Sequence, residues 1–143
     1  MPAAPILYVE DDENDVFFMT RAFAKLSLPH PLTVARDGQQ GLDYLAGNGP
    51  YADRAHHPLP CLVLLDLNLP LCSGFDILQW LRQQPRFQTL PVLVFTASAQ
   101  QSDRVKAREL GASEFITKPG NMSQLSQLLQ AIILRWLARP SGC

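Results

Sequence analysis

The feature that most constrains the fold is the alternation of short aliphatic runs with longer segments of helical periodicity. Strands are predicted for five runs, at about residues 5–10, 31–35, 61–66, 91–96 and 114–117. Helices are predicted after each of them, at about residues 13–25, 38–46, 74–84, 99–111 and 121–138. This order is typical of a parallel sheet with helices on both faces, because parallel neighbours need crossover connections. We therefore predict an α/β fold with a doubly wound, five-stranded parallel sheet.

Length and charge exclude several classes of protein. The 143 residues carry a formal net charge of −1 that is spread along the chain, so no basic surface for nucleic acid is expected. No apolar run reaches the ~18 residues of a membrane span, and the N-terminal segment does not resemble a signal peptide. The cysteines Cys61, Cys72 and Cys143 lack metal-type spacing and indicate reduced thiols. We expect one domain over residues 1–143, in the cytoplasm, without nucleic-acid or membrane partners.

Reactive side chains stand at or just past the ends of four of the predicted strands. Glu10 and Asp11 follow the first, Asp66 the third, Thr96 the fourth and Lys118 the fifth. If the strands are parallel, these groups share the carboxyl edge of the sheet, where ligands of doubly wound folds bind. Three acids placed together repel one another unless a cation lies among them, and oxygen ligands with open positions suit Mg²⁺. The residues predict a Mg²⁺-dependent phosphoryl site.

Four motifs extend this interpretation to a family. The segments ILYVEDD, LVLLDLNLP, VFTAS and FITKPG, in this order on the predicted strands, resemble those of response-regulator receiver domains of the chemotaxis-regulator type. The resemblance runs from about Pro5 to Ala138 and implies a flavodoxin-like (βα)5 fold with strand order 2-1-3-4-5. It also implies a response regulator of two-component signalling, which takes a phosphoryl group from a sensor histidine kinase and catalyses only its own phosphorylation and dephosphorylation.

The resemblance assigns roles at the metal site. Asp66 would be the phosphoacceptor, a carboxylate nucleophile that forms an aspartyl phosphate. Asp11 and Asp66 would ligate Mg²⁺ directly, Glu10 would act largely through a water ligand, and the backbone carbonyl of Asn68 would complete the protein ligands.

Other residues would receive the phosphoryl group. The Thr96 hydroxyl and the Lys118 ammonium would each bind a phosphoryl oxygen, and the small Ala97 would leave room and offer a backbone N–H. The family usually has a cis peptide bond before the residue equivalent to Pro119, so we expect one here.

The resemblance further implies a switch and an output surface. Thr96 would move inward on phosphorylation and Phe115 would rotate into the vacated space, altering the surface of the fourth helix, fifth strand and fifth helix. No output domain is expected. The long loop before the third strand resembles stand-alone receivers that partner phytochrome-type sensor kinases, and that subgroup implies a homodimer. Ile133 and Leu137, which widen the apolar face of the last helix, are the predicted dimer contacts.

Two alternatives stay open at this point. A phosphatase of the haloacid dehalogenase type also uses a strand-end aspartate with Mg²⁺, but its signature needs an acid where this chain has Asn68. A receiver-fold interaction module that works without phosphorylation is the second alternative. The set Glu10, Asp11, Asp66, Thr96 and Lys118 argues against it, because packing alone does not require these residues.

Overall fold

The computed structural model describes residues 3–137, so Cys143 and the predicted helix end at Ala138 lie outside the described residues. The elements are β1 (Ile6–Val9), α1 (Glu13–Leu26), β2 (Leu32–Ala35), α2 (Gly38–Ala46), β3 (Leu62–Leu65), α3 (Gly74–Gln83), β4 (Val92–Thr96), α4 (Gln101–Glu109), β5 (Glu114–Thr117) and α5 (Met122–Trp136). The strands form one parallel sheet in the order β2-β1-β3-β4-β5. The predicted fold class and strand order are confirmed.

The sheet separates two apolar cores, one on each face. Side chains of β1, β3 and β4 alternate between them: Tyr8 and Leu64 join a core with residues of α1 and α5, whereas Leu7 and Leu65 join one with residues of α2, α3 and α4. The residues of these strands are buried throughout, which is why they read as continuous apolar runs in the sequence. Their carboxyl ends are thereby held in fixed positions at one edge.

The broad apolar face of α5 is partly covered within the chain. Leu137, at the C-terminal cap of α5, is only 7% exposed and belongs to the same core cluster as α1 residues, and Ile133 is half-buried against that cluster. The helix α1 packs directly on α5. Leu137 is therefore buried within the chain whereas Ile133 is only half-buried, and the role of both residues as dimer contacts stays a prediction.

The loop between α2 and β3 is ordered by one arginine. Arg54 donates from Nη1 to the carbonyl oxygens of Tyr44 (2.7 Å) and His57 (3.2 Å), and from Nη2 to that of Leu45 (2.9 Å). These bonds satisfy carbonyls at the end of α2 and draw the loop, which contains a short 3₁₀ helix at Gly49–Ala52, against it. Within residues 3–137 no helix is both long and apolar enough to cross a membrane.

Candidate functional site

The carboxyl edge of the sheet holds an acidic cluster. Glu10 and Asp66, which directly follow β1 and β3, are almost fully buried (0% and 5% exposed), whereas Asp11 is exposed. Each of the three offers one carboxylate oxygen, and these oxygens all lie within 4.8 Å of one another. A donor set made only of carboxylate oxygens, open to water on the Asp11 side, fits a hard divalent cation such as Mg²⁺. The structure therefore brings the predicted side-chain ligands together.

Lys118, which follows β5, supplies a positive charge to this edge. Its Nζ lies 2.6 Å from Glu10 Oε1, 2.6 Å from Asp15 Oδ2 and 3.3 Å from Asp66 Oδ2. Burial by itself would lower the pKa of Lys118, but the hydrogen bonds to Asp15 and Glu10 outweigh burial, so that its pKa is raised. Lys118 is therefore held in its charged form.

Glu10 is fixed by neighbours on several sides. The Tyr8 hydroxyl donates to Glu10 Oε1 at 3.2 Å, and the Asp12 backbone N–H donates to Oε2 at 3.2 Å. Burial raises the pKa of Glu10, and the repulsion from Asp66 adds to this increase, while Lys118 opposes it. A cation among the acids would remove part of the repulsion.

The end of β4 is tied to the start of the β5–α5 connection. The backbone N–H of Lys118 donates to the Thr96 carbonyl at 2.8 Å, and the Ser98 N–H donates to Thr96 Oγ1 at 3.3 Å. Thr96 is fully buried and Ala97 is exposed beside it. The Ser98 hydroxyl donates to Asp103 at 2.6 Å, so Ser98 organises the approach to α4 although the helix itself begins at Gln101.

Three further predictions concern Asn68, Phe115 and the peptide bond before Pro119. Asn68 is exposed, with its N–H 3.4 Å from Asp66 Oδ1, and its role as a carbonyl ligand stays a prediction. Phe115 is half-buried, and the Arg104 guanidinium lies 4.8 Å from its ring centroid. No cis peptide bond occurs between residues 3 and 137, so the cis bond expected before Pro119 is not found.

Asp15 was not predicted from the sequence, yet it contacts Lys118 as closely as Glu10 does. It lies in the first turn of α1, whose N-cap Asp12 accepts hydrogen bonds from the N–H groups of Asn14 (2.9 Å) and Asp15 (3.1 Å). The available signal was spacing: Asp15 is four residues after Asp11, at the start of a helix that leaves the site. An acid there is also explained by the helix dipole, so spacing alone did not single it out.

The chain matches the family model described as response regulator receiver domain over residues 6–130. It therefore belongs to the response regulator receiver domain family, and it is a receiver-domain response regulator of two-component signalling. Receiver domains take phosphoryl groups from histidine kinases and bind Mg²⁺ or Mn²⁺ at an acidic pocket. The family assignment removes the phosphatase alternative.

The chain is similar to particular members of the family. It is 33% identical over 136 residues to response regulator Rcp1 of Synechocystis sp. strain PCC 6803, covering 95% of this chain and 90% of Rcp1. The phosphorylated cyanobacterial phytochrome response regulator RcpA superposes with a TM-score of 0.86 at 33% identity, covering 96% of each chain. The Mn²⁺-bound form of Rcp1 superposes with a TM-score of 0.84 at 31% identity, covering 99% of each chain. The predicted resemblance to phytochrome-associated response regulators is confirmed.

Proposed function

We propose that the protein accepts a phosphoryl group on Asp66 from the phosphohistidine of a sensor histidine kinase. The observation that carries the proposal is the position of Asp66 at the carboxyl edge, with an acidic cluster on one side and Lys118 Nζ at 3.3 Å. A carboxylate oxygen of Asp66 would attack the phosphorus, the phosphorus–nitrogen bond of the donor would break, and the histidine would leave with the electron pair. Such transfer depends mainly on positioning and charge neutralisation, which Lys118 and the Thr96 hydroxyl would provide.

The acidic cluster would hold Mg²⁺. Asp11 and Asp66 would contribute carboxylate oxygens, Glu10 would act through a water ligand, and the Asn68 carbonyl would complete the protein's share. When bound, the cation neutralises charge on the transferring phosphoryl group. The buried Glu10 keeps its orientation through Tyr8 and Asp12, so the cluster is held by the fold before a cation binds.

Asp11→Asn is expected to weaken divalent-cation binding by at least about tenfold, because one of the proposed ligands loses its charge. Titration with Mn²⁺, followed by the electron paramagnetic resonance signal of the free ion, measures this affinity. Glu13→Gln is the matched control, since it removes one charge from the exposed first turn of α1 outside the cluster. Equal weakening by both substitutions would indicate a general charge effect and contradict the assignment of Asp11.

The donor kinase is proposed to be of the phytochrome type. The similarity to the phytochrome response regulator RcpA supports this, since the two chains match over 96% of their lengths.

Phosphorylation would draw the Thr96 hydroxyl inward and shift Phe115, which changes the surface formed by α4, β5 and α5. In the unphosphorylated chain Arg104 covers the Phe115 ring, so the switch would involve the separation or movement of this pair. The predicted cytoplasmic location stays a prediction.

A homodimer through α4, β5 and α5 is part of the proposal, and Val105 of α4 is the residue chosen to test it. Val105 on α4 is 40% exposed. Val105→Glu is expected to convert the dimer to a monomer, because a desolvated carboxylate at the contact has no partner. Light scattering measures the mass, and Leu59→Glu in the α2–β3 loop is the control. An unchanged mass for Val105→Glu would argue against this surface.

A further inference from the structure

The ammonium of Lys118 is shared unequally among three carboxylates. Asp15 and Glu10 each lie 2.6 Å from Nζ, whereas Asp66 lies 3.3 Å away. A lysine ammonium has three N–H donors and no acceptor, so each carboxylate takes one donor. Two donors are therefore held by short, charge-assisted bonds, and the third is directed at Asp66 with a longer bond.

Of the three carboxylates, Asp15 is the one that lies on a helix rather than at the end of a strand. Its backbone is fixed in the first turn of α1 by the Asp12 cap, while Lys118 follows β5, 103 residues further along the chain. The Asp15 side chain is about one-third exposed (34%) and that of Lys118 is 14% exposed, so the pair is shielded from water on the lysine side. The contact joins α1 to the β5–α5 connection beside the site.

The space around Lys118 explains why such an anchor is needed. A cavity of about 270 Å³ adjoins Lys118 and Asp15, and its other walls include Phe18, Met19 and Met122. A lysine side chain has four flexible carbons, so open space beside it allows the ammonium to move away from Asp66. Asp15 and Glu10 together restrict this movement.

We propose that Asp15 is a positioning residue, which fixes the Lys118 ammonium so that its third N–H faces Asp66 and the phosphoryl group bound there. The proposal rests on the phosphorylation of Asp66 proposed above. It predicts that the rate of phosphorylation depends more on the hydrogen-bond acceptor at Asp15 than on the negative charge of this residue. If Asp15 instead held Lys118 back from the phosphoryl group, every substitution of Asp15 would speed phosphorylation.

The first test compares initial rates of phosphorylation by acetyl phosphate with Mg²⁺. Asp15→Ala is expected to slow the reaction about tenfold, the effect of losing one charge-assisted hydrogen bond. Asp15→Asn keeps an acceptor oxygen and is expected to restore the rate to within about threefold of the wild type. Glu13→Ala, which removes an acid from the same helical turn but not a partner of Lys118, is expected to react like the wild type.

The second test needs no phosphorylation. In ¹⁵N-lysine NMR spectra of the unphosphorylated protein, the buried Lys118 ammonium is expected to give a slowly exchanging signal in the wild type and in Asp15→Asn. Asp15→Ala is expected to lose that signal while its backbone NMR spectrum remains that of a folded protein. If the wild type takes no phosphoryl group but the signal depends on Asp15, the proposed function fails and the anchoring of Lys118 stands. An Asp15→Ala rate equal to or above the wild-type rate, or an unchanged Lys118 signal, overturns the proposal.

Discussion

Asp66→Asn is expected to abolish phosphorylation by acetyl phosphate and Mg²⁺, whereas the wild type should gain one acid-stable, base-labile phosphoryl group. Asparagine has nearly the shape of aspartate, so the fold is retained, but its amide oxygen is a poor nucleophile and cannot form the acyl phosphate. The position is almost fully buried, and the substitution removes one of the carboxylates around Lys118. Intact-protein mass spectrometry before and after mild base treatment measures the modification.

The control for this experiment is Asp53→Asn, which makes the same chemical change at an exposed position in the α2–β3 loop. It is expected to be phosphorylated like the wild type. A wild type that stays unmodified with acetyl phosphate and with every histidine kinase tested would favour the module that works without phosphorylation. Equal labelling of Asp66→Asn and the wild type would assign the acceptor to another residue.

Gly74→Ala is expected to lower the free energy of unfolding by about 3 kcal/mol, the upper end of what overpacking usually costs. Gly74 is the first residue of α3, and a Cβ added there would lie 2.1 Å from the Asp66 carbonyl oxygen and 2.8 Å from the Leu67 Cα. Both are backbone atoms, so they cannot move aside as a flexible side chain can. The Gly74 N–H also donates to the Leu67 carbonyl at 3.1 Å, which holds the two segments together.

The measurement is thermal unfolding followed by circular dichroism, with an expected decrease of about 10 °C in Tm for a domain of this size. The control is Gly120→Ala, because a Cβ built at Gly120 has no atom within 4 Å apart from its own chain neighbours. It is expected to change Tm by little. Since the Gly74 clash is with the backbone of Asp66 itself, phosphorylation of Gly74→Ala should also be slower than that of Gly120→Ala. Equal stability of the two variants would contradict the close approach of Gly74 to the backbone of Asp66 and Leu67.

Much of the fold could be predicted because its signals are local. The run LVLLD at residues 62–66 indicated a strand buried on both faces, and β3 occupies Leu62–Leu65 with Asp66 directly after it. The spacing of such runs required crossovers, and right-handed crossovers leave few possible topologies. The acidic cluster followed from the same reasoning, because parallel strands place their carboxyl ends at one edge.

The burial of Leu137 within the chain could not be predicted, for a related reason. Helical periodicity measures how wide the apolar face of α5 is, but it does not identify the surface that covers it. Leu137 is buried and Ile133 half-buried within the chain, where α1 packs beside α5. A neighbouring helix and a second copy of the chain both favour apolar residues, so the pattern alone could not distinguish them.

The sequence by itself determined the sheet, the order of its helices and which strand-end residues share its carboxyl edge: Glu10, Asp11, Asp66, Thr96 and Lys118. Each of these is the product of a short-range pattern, either the period of a strand or helix or the position at which it ends. Only the tertiary structure decided that Asp15 takes a donor of Lys118 and that Arg54 closes the α2–β3 loop. Such contacts depend on where a flexible side chain reaches across segments distant in sequence, and no local periodicity records that.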